Sequence, residues 1–259
     1  MQTLVGRAAV VTGSGRSLGA GIAVALAESG ANLVVNSRSS LDEAEEIAAE
    51  CRSFGVEAIC VVADVATEVG VSELAEQAYA RFGRIDILVN NVGVSPTVPF
   101  LEITFEDWHT AMSVNADSMF LTCQAFAPSM IEAGWGRIVN ITGHAYLTIG
   151  RGSVHTKASK AAAVGLTRGL AGALAKHNIT VNHIAPGLMD TEPRRNKYYR
   201  DDKPLGLPPW GSMERTREVP LGRTGTVREF SSLVRYLCTE DAGYLTGQSY
   251  LVNGGQMAL

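Results

Sequence analysis

Seven short apolar runs, each parted from the next by a stretch with helical spacing, constrain this chain more than any other feature. They are A-A-V-V from Ala8, N-L-V-V-N from Asn32, A-I-C-V-V-A from Ala58, I-D-I-L-V-N from Ile85, R-I-V-N-I from Arg137, I-T-V-N-H-I-A from Ile179 and S-Y-L-V-N from Ser249. Several lack in/out alternation, as expected of strands covered by helices on both faces. Ser40 and Glu43 have capping-box spacing ahead of a segment in which Ala44, Ile47, Ala48 and Cys51 share one helical face. Thr104 and Asp107 mark a similar helix start before Trp108 and Met112. Strand, helix and strand repeated in this order, with right-handed crossovers, predict an α/β fold. It is a Rossmann-type doubly wound sheet of about seven mostly parallel strands flanked by helices. Such a sheet takes its ligands at the carboxyl ends of its strands.

The chain has 259 residues, 46% of them hydrophobic, which is enough for one large core. No Pro/Ser-rich linker or charge block divides it, so residues 1–259 are expected to form a single domain. A net charge of −4 leaves no basic footprint for nucleic acid. No run approaches the roughly 18 apolar residues needed to span a bilayer, and the N-terminus has no basic region followed by an apolar stretch. Cys51, Cys60, Cys123 and Cys238 are scattered without a CxxC pair. They read as buried thiols in a reducing cytoplasm, with no metal site.

The first run leads into T-G-S-G-R-S-L-G, Thr12 to Gly19, and then into a helical pattern with Leu18, Ile22 and Leu26 on one face. Glycines let a backbone approach a pyrophosphate, and a helix N-terminus offers free N–H groups and partial positive charge. In this strand–turn–helix setting the motif points to a dinucleotide. The second run ends Asn36-Ser37-Arg38, with no carboxylate to hold a ribose 2′-hydroxyl. Arg38, joined by Arg16, suits a 2′-phosphate instead, which favours NADP(H) over NAD(H). The alternative is that both arginines are ordinary solvated residues.

These motifs together resemble those of the short-chain dehydrogenase/reductase family, nearly end to end, and in particular the bacterial 3-oxoacyl-carrier-protein reductases. Ser17 stands where the family's middle glycine falls, Asn90-Asn91-Val92-Gly93 matches its N-N-A-G, and Tyr244 to Gly255 resembles its last strand. The resemblance implies a cofactor groove made of Gly13, Gly15, Arg16, Ser17, Leu18, Gly19, Ser37, Arg38, Asp64, Val65, Asn91, Gly93, Lys160, Pro186, Gly187 and Thr191. It also implies a homotetramer or homodimer and a small-molecule substrate.

At the reaction centre the likeness is incomplete. The family uses an asparagine, a serine, a tyrosine and a lysine for proton transfer beside a hydride donor. Asn115 and Lys160 match two of these, whereas Gly143 falls at the serine position and Thr156 at the tyrosine position. An aliphatic hydroxyl is a far weaker acid than a phenol. His144, Tyr146 and His155 lie between the two altered positions and are the candidate replacements, His144 first because an imidazole titrates near neutrality. For each, the plainer reading, which outweighs an acid role, is a loop side chain that lines the pocket or faces water. His109, His177 and His183 are assigned no role.

Residues 188–219 leave the strand–helix rhythm and read as a substrate lid. In it Arg194, Arg195, Lys197 and Arg200 could attract an anion, and Tyr198, Tyr199 and Trp210 offer flat apolar surface. Ser95 to Phe100 and Trp108 would form a second lip. Three functions remain open: an oxidoreductase acting on a carbonyl or imine, a non-redox catalyst of cyclisation, elimination or hydration, and a catalytically silent nucleotide-binding partner.

Overall fold

In the computed structural model, residues 3–149, 153–191 and 216–258 are described. The seven apolar runs form seven parallel strands: β1 (Ala8–Val11), β2 (Asn32–Ser37), β3 (Ala58–Val62), β4 (Ile87–Asn90), β5 (Gly136–Ile141), β6 (Ile179–Pro186) and β7 (Ser249–Val252). Their order is β3-β2-β1-β4-β5-β6-β7, so the chain reverses its direction of travel across the sheet between β1 and β4. Three strands are shorter than their apolar runs: β3 and β7 stop one residue early, and β4 starts two residues late. The run from Ile85 is regular strand only from Ile87, although the Asp86 backbone still donates to the Ala8 carbonyl at 2.9 Å and accepts from the Arg137 N–H at 3.0 Å. The Asp86 carboxylate caps the Ala8 N–H at 3.0 Å and binds Arg7 and Arg84.

Helices α1 (Ser17–Glu28), α2 (Leu41–Arg52), α3 (Glu68–Phe82), α4 (Phe105–Met112), α5 (Ser118–Ala133), α6 (Val154–Leu174) and α7 (Val227–Leu237) connect the strands. α1, α2 and α7 contribute to the core cluster on one face of the sheet; α3, α5 and α6 contribute to the cluster on the other. Register makes these faces continuous. Val34, Val10, Leu88, Ile138 and Val181 lie side by side across five strands, all fully buried. Burying each such side chain is worth about 1.5–3 kcal/mol. A polar chain crosses the same interior: Thr122 of α5 donates to Asn90, Asn90 to Asn140, and Asn140 to Thr167 of α6, at 2.7–2.9 Å. It ties α5, β4, β5 and α6 into one register, since a partly satisfied buried network would be costly.

Side-chain caps close four of the seven described helix starts, α2, α3, α4 and α7. Thr104 and Asp107 form a reciprocal capping box at α4, and Thr226 and Glu229 do so at α7. At α2 only half the box forms: Ser40 accepts from the Glu43 N–H at 3.2 Å, while the Ser40 N–H goes to the Ser37 hydroxyl. The Glu43 carboxylate is turned elsewhere.

Candidate active site

A cleft of about 350 Å³ runs along the carboxyl ends of β1 to β4. Gly13, Gly15, Arg16, Ser17, Leu18, Gly19, Ser37, Arg38, Asp64, Val65, Asn91, Gly93 and Thr191 all line it. The turn between β1 and α1 is built for close approach. A Cβ on Gly19 would lie 2.3 Å from the Gly13 carbonyl oxygen and 2.6 Å from the Asn91 amide nitrogen, so only glycine lets the helix sit on the turn. Ser17, in the family's glycine position, adopts φ +54, a left-handed conformation that costs an L-residue about 1–2 kcal/mol.

Two asparagines hold this turn from outside it. Asn91 donates to the carbonyls of Thr12 and Gly13, both at 3.1 Å. Asn36 accepts from the Gly13 N–H at 3.0 Å and donates to the carbonyls of Val61 and Ala63 at the end of β3. Sequence reasoning noticed Asn36 only as the lack of an acid. Its buried staple role depends on β1, β2 and β3 lying side by side.

Lys160, Pro186 and Gly187 lie outside that lining, where β5 and β6 end. Lys160, on α6, is buried and donates from Nζ to the Thr142 carbonyl in a short contact. Gly143 follows with φ +97, and a Cβ there would lie 3.7 Å from Lys160 Nζ. The position matching the family's serine therefore abuts Lys160 but carries no side chain.

Asn115 and Thr156, the other two positions matched to the family's pattern, are turned toward a loop. Residues 113–117 form a single π-helical turn, a distortion common at functional sites, and it buries Asn115. The Asn115 side chain accepts from the Val94 N–H at 2.8 Å and donates to the Val94 carbonyl at 3.0 Å and to Ser159 at 2.9 Å. Two residues further along the same loop, Thr156 gives its hydroxyl proton to the Pro96 carbonyl at 3.0 Å and is 2% exposed. Two further on, Ser153 accepts from the Val98 N–H at 2.5 Å and donates to its carbonyl at 2.9 Å. Three side chains thus pin alternate residues of the 94–98 loop. The Thr156 hydroxyl is part of a clamp.

The three replacement candidates are placed differently. His144 opens a 3-10 turn, Nδ1 buried without a partner and the ring held against the Pro186 carbonyl. Burial first, and the Lys160 charge after it, push its pKa down, only partly opposed by that carbonyl. Tyr146 packs edge-on against His183, with ring centroids 5.8 Å apart. Its hydroxyl faces Ser249 without a well-formed hydrogen bond, and burial raises its pKa. His155 is wholly buried, with both ring nitrogens unpartnered, on the helix that packs against α4; burial lowers its pKa against the pull of Asp107. It is a core histidine rather than a loop side chain or a solvated one.

His183 is the residue the sequence did not offer. It is fully buried on β6, 2.6 Å from the Thr142 hydroxyl, and burial beside Lys160 and Arg168 pushes its pKa down to about 4. Its signal was only a histidine inside an apolar run. The lid residues Arg194, Arg195, Lys197, Tyr198, Tyr199, Arg200 and Trp210 lie outside the described residues. Among those described, no three His, Cys, Asp or Glu side chains are grouped to hold a metal ion, and no helix is long and apolar enough to cross a membrane.

A family model described as enoyl-(acyl carrier protein) reductase matches residues 13–257. A 3-oxoacyl-[acyl-carrier-protein] reductase of Synechocystis is 34% identical over 99% of both chains. This chain belongs to the short-chain dehydrogenase/reductase family. Another 3-oxoacyl-[acyl-carrier-protein] reductase, of Aquifex aeolicus, is 35% identical, over 97% of this chain and 98% of its own. Among solved members of the family, a putative short-chain alcohol dehydrogenase from Sinorhizobium meliloti superposes with a TM-score of 0.87 at 33% identity, covering 98% of this chain and 97% of its own. A 7α-hydroxysteroid dehydrogenase, solved with NADH and 7-oxo glycochenodeoxycholic acid, gives 0.88 at 31% identity over 98% and 95%. The short-chain dehydrogenases/reductases are oxidoreductases that use nicotinamide cofactors, and the cleft fits such a group: a glycine cradle at the turn, cations at one end and Lys160 near the other.

Proposed function

We propose that this protein is a nicotinamide-dependent oxidoreductase with a preference for NADP(H). In this reading it moves a hydride to or from a carbonyl or imine carbon of a small to medium-sized, possibly cyclic, substrate, with a non-standard group handling the proton. The nicotinamide supplies or takes the hydride when bound. The turn from Gly13 to Gly19 would hold the pyrophosphate, Arg16 and Arg38 the 2′-phosphate, Asp64 and Val65 the adenine, and Lys160, Pro186, Gly187 and Thr191 the nicotinamide end.

The observation that carries the non-standard part is the commitment of the Thr156 hydroxyl to Pro96 beside a side-chain-free Gly143. Neither position offers a proton to a reacting oxygen. His144 has a buried nitrogen with no partner in the same region. A neutral imidazole that gives its one N–H to the Pro186 carbonyl presents its other nitrogen as an acceptor. Burial, and the Lys160 charge after it, favour its neutral form. Such a group takes a proton from an alcohol or amine during oxidation better than it supplies one to a ketone. Imine reduction fits the same arrangement, because an iminium already carries its proton.

The test mixes the protein with NADPH and a panel of ketones, cyclic imines and enones while following cofactor absorbance. Cofactor oxidation that is abolished by Lys160→Ala supports the reading. Substrate conversion without cofactor turnover would replace it with non-redox catalysis on the same scaffold, and binding with no conversion with a silent partner.

A further inference from the structure

The adenosine end of the cleft holds a carboxylate that the end of β2 lacks. Glu43 lines the cleft together with Arg16, Ser37, Arg38 and Ser40, and its Oε1 lies 3.9 Å from Arg16 Nη1. Two independent features put it there. α2 packs tightly on the glycine turn: a Cβ on Gly15 would sit 3.4 Å from Glu43 Cβ and from the Ala44 nitrogen. The half-formed capping box leaves the carboxylate unused at its own helix start, unlike the acids of α4 and α7, which fold back on theirs. Glu43 thereby faces the guanidinium that would hold a 2′-phosphate.

We propose that Glu43 is a specificity-determining residue that tunes the choice between the two nicotinamide dinucleotides. Its charge opposes a 2′-phosphate and competes for Arg16, whereas its oxygens can accept a hydrogen bond from a 2′-hydroxyl. The protein therefore takes up both NADPH and NADH, with a smaller preference for the phosphate than Arg16 and Arg38 alone would give. This inference rests on the cofactor reading above. The pair is half-exposed, so its worth to folding is small. Its effect is felt by the ligand, which must displace or share Arg16.

The test is calorimetric titration of NADPH and NADH into the unaltered protein, Glu43→Gln and Glu43→Asp, beside a thermal melt of each. Glu43→Gln keeps the Ser40 cap, which uses only the Glu43 N–H. The expected result is about tenfold tighter NADPH and weaker NADH for Glu43→Gln, as expected for removing one like charge near a phosphate. Glu43→Asp, which keeps the charge, should hold the original ratio. An unchanged ratio in Glu43→Gln, with both nucleotides still bound, overturns the role of Glu43 alone. Failure of the unaltered protein to bind either nucleotide overturns the cofactor reading and this inference with it.

Discussion

The two halves of the cleft differ in how completely the protein satisfies itself. Around the turn between β1 and α1, Asn36, Asn91 and Thr12 give or receive hydrogen bonds at every buried polar atom described. Where β5 and β6 end, His144 Nδ1, the Tyr146 hydroxyl and His183 Nδ1 have no partner, and four other buried side-chain atoms among the described residues share that state. An unpaired buried polar group costs about 1–3 kcal/mol. The nucleotide half is preorganised. Under the proposed function the reaction half is altered, with Gly143 free of a side chain and the Thr156 hydroxyl held in a loop clamp.

The largest test of this contrast is Lys160→Ala, which removes the buried cation where β5 and β6 end. Turnover should fall by about 10²–10⁴-fold, measured as cofactor oxidation at saturating substrate. The next acts through pH. His183 has an ordinary pKa of 6.5 and a folded value of about 4. Above pH 6.5 the ring is neutral in both folded and unfolded chains. Between 6.5 and about 4 the unfolded chain takes up a proton that the folded chain refuses, so stability falls as pH falls. The loss approaches about 3 kcal/mol for this group. Urea unfolding at pH 7 and pH 4.5 should show it, and His183→Gln should flatten that dependence.

Gly143→Ser should destabilise by about 1–3 kcal/mol, because φ +97 suits glycine and strains any side chain. Restoring the family's serine therefore has a folding cost, readable as a lower urea midpoint. The smallest effect lies in the nucleotide half. Ser17→Gly relieves a left-handed φ of +54 and should raise stability by about 1 kcal/mol, with nucleotide binding retained in calorimetry.

Local signals explain what could be read from the residues. The strands announced themselves as apolar runs, and the glycine turn is eight contiguous residues whose neighbours in sequence are its neighbours in space. The doubly wound class followed from alternation and the right-handed crossover rule, whereas the strand order β3-β2-β1-β4-β5-β6-β7 is seen only in the structure. What escaped depends on crossovers. Glu43 reaches Arg16 only because β2 lies beside β1. His183 meets Thr142 through the pairing of β5 with β6. Thr156 occupies the tyrosine position in sequence, but its bond to Pro96, 60 residues away, could not be seen there. The half-formed box at Ser40 shows the same limit: spacing marked the helix start but not where the carboxylate points.

The most direct measurement compares turnover of Thr156→Val and His144→Gln on one substrate that the protein converts. Thr156→Val should stay within about tenfold of the unaltered protein, the worth of one neutral hydrogen bond. His144→Gln should lose about 10²-fold or more. The opposite ranking would return the proton to the threonine and contradict the account.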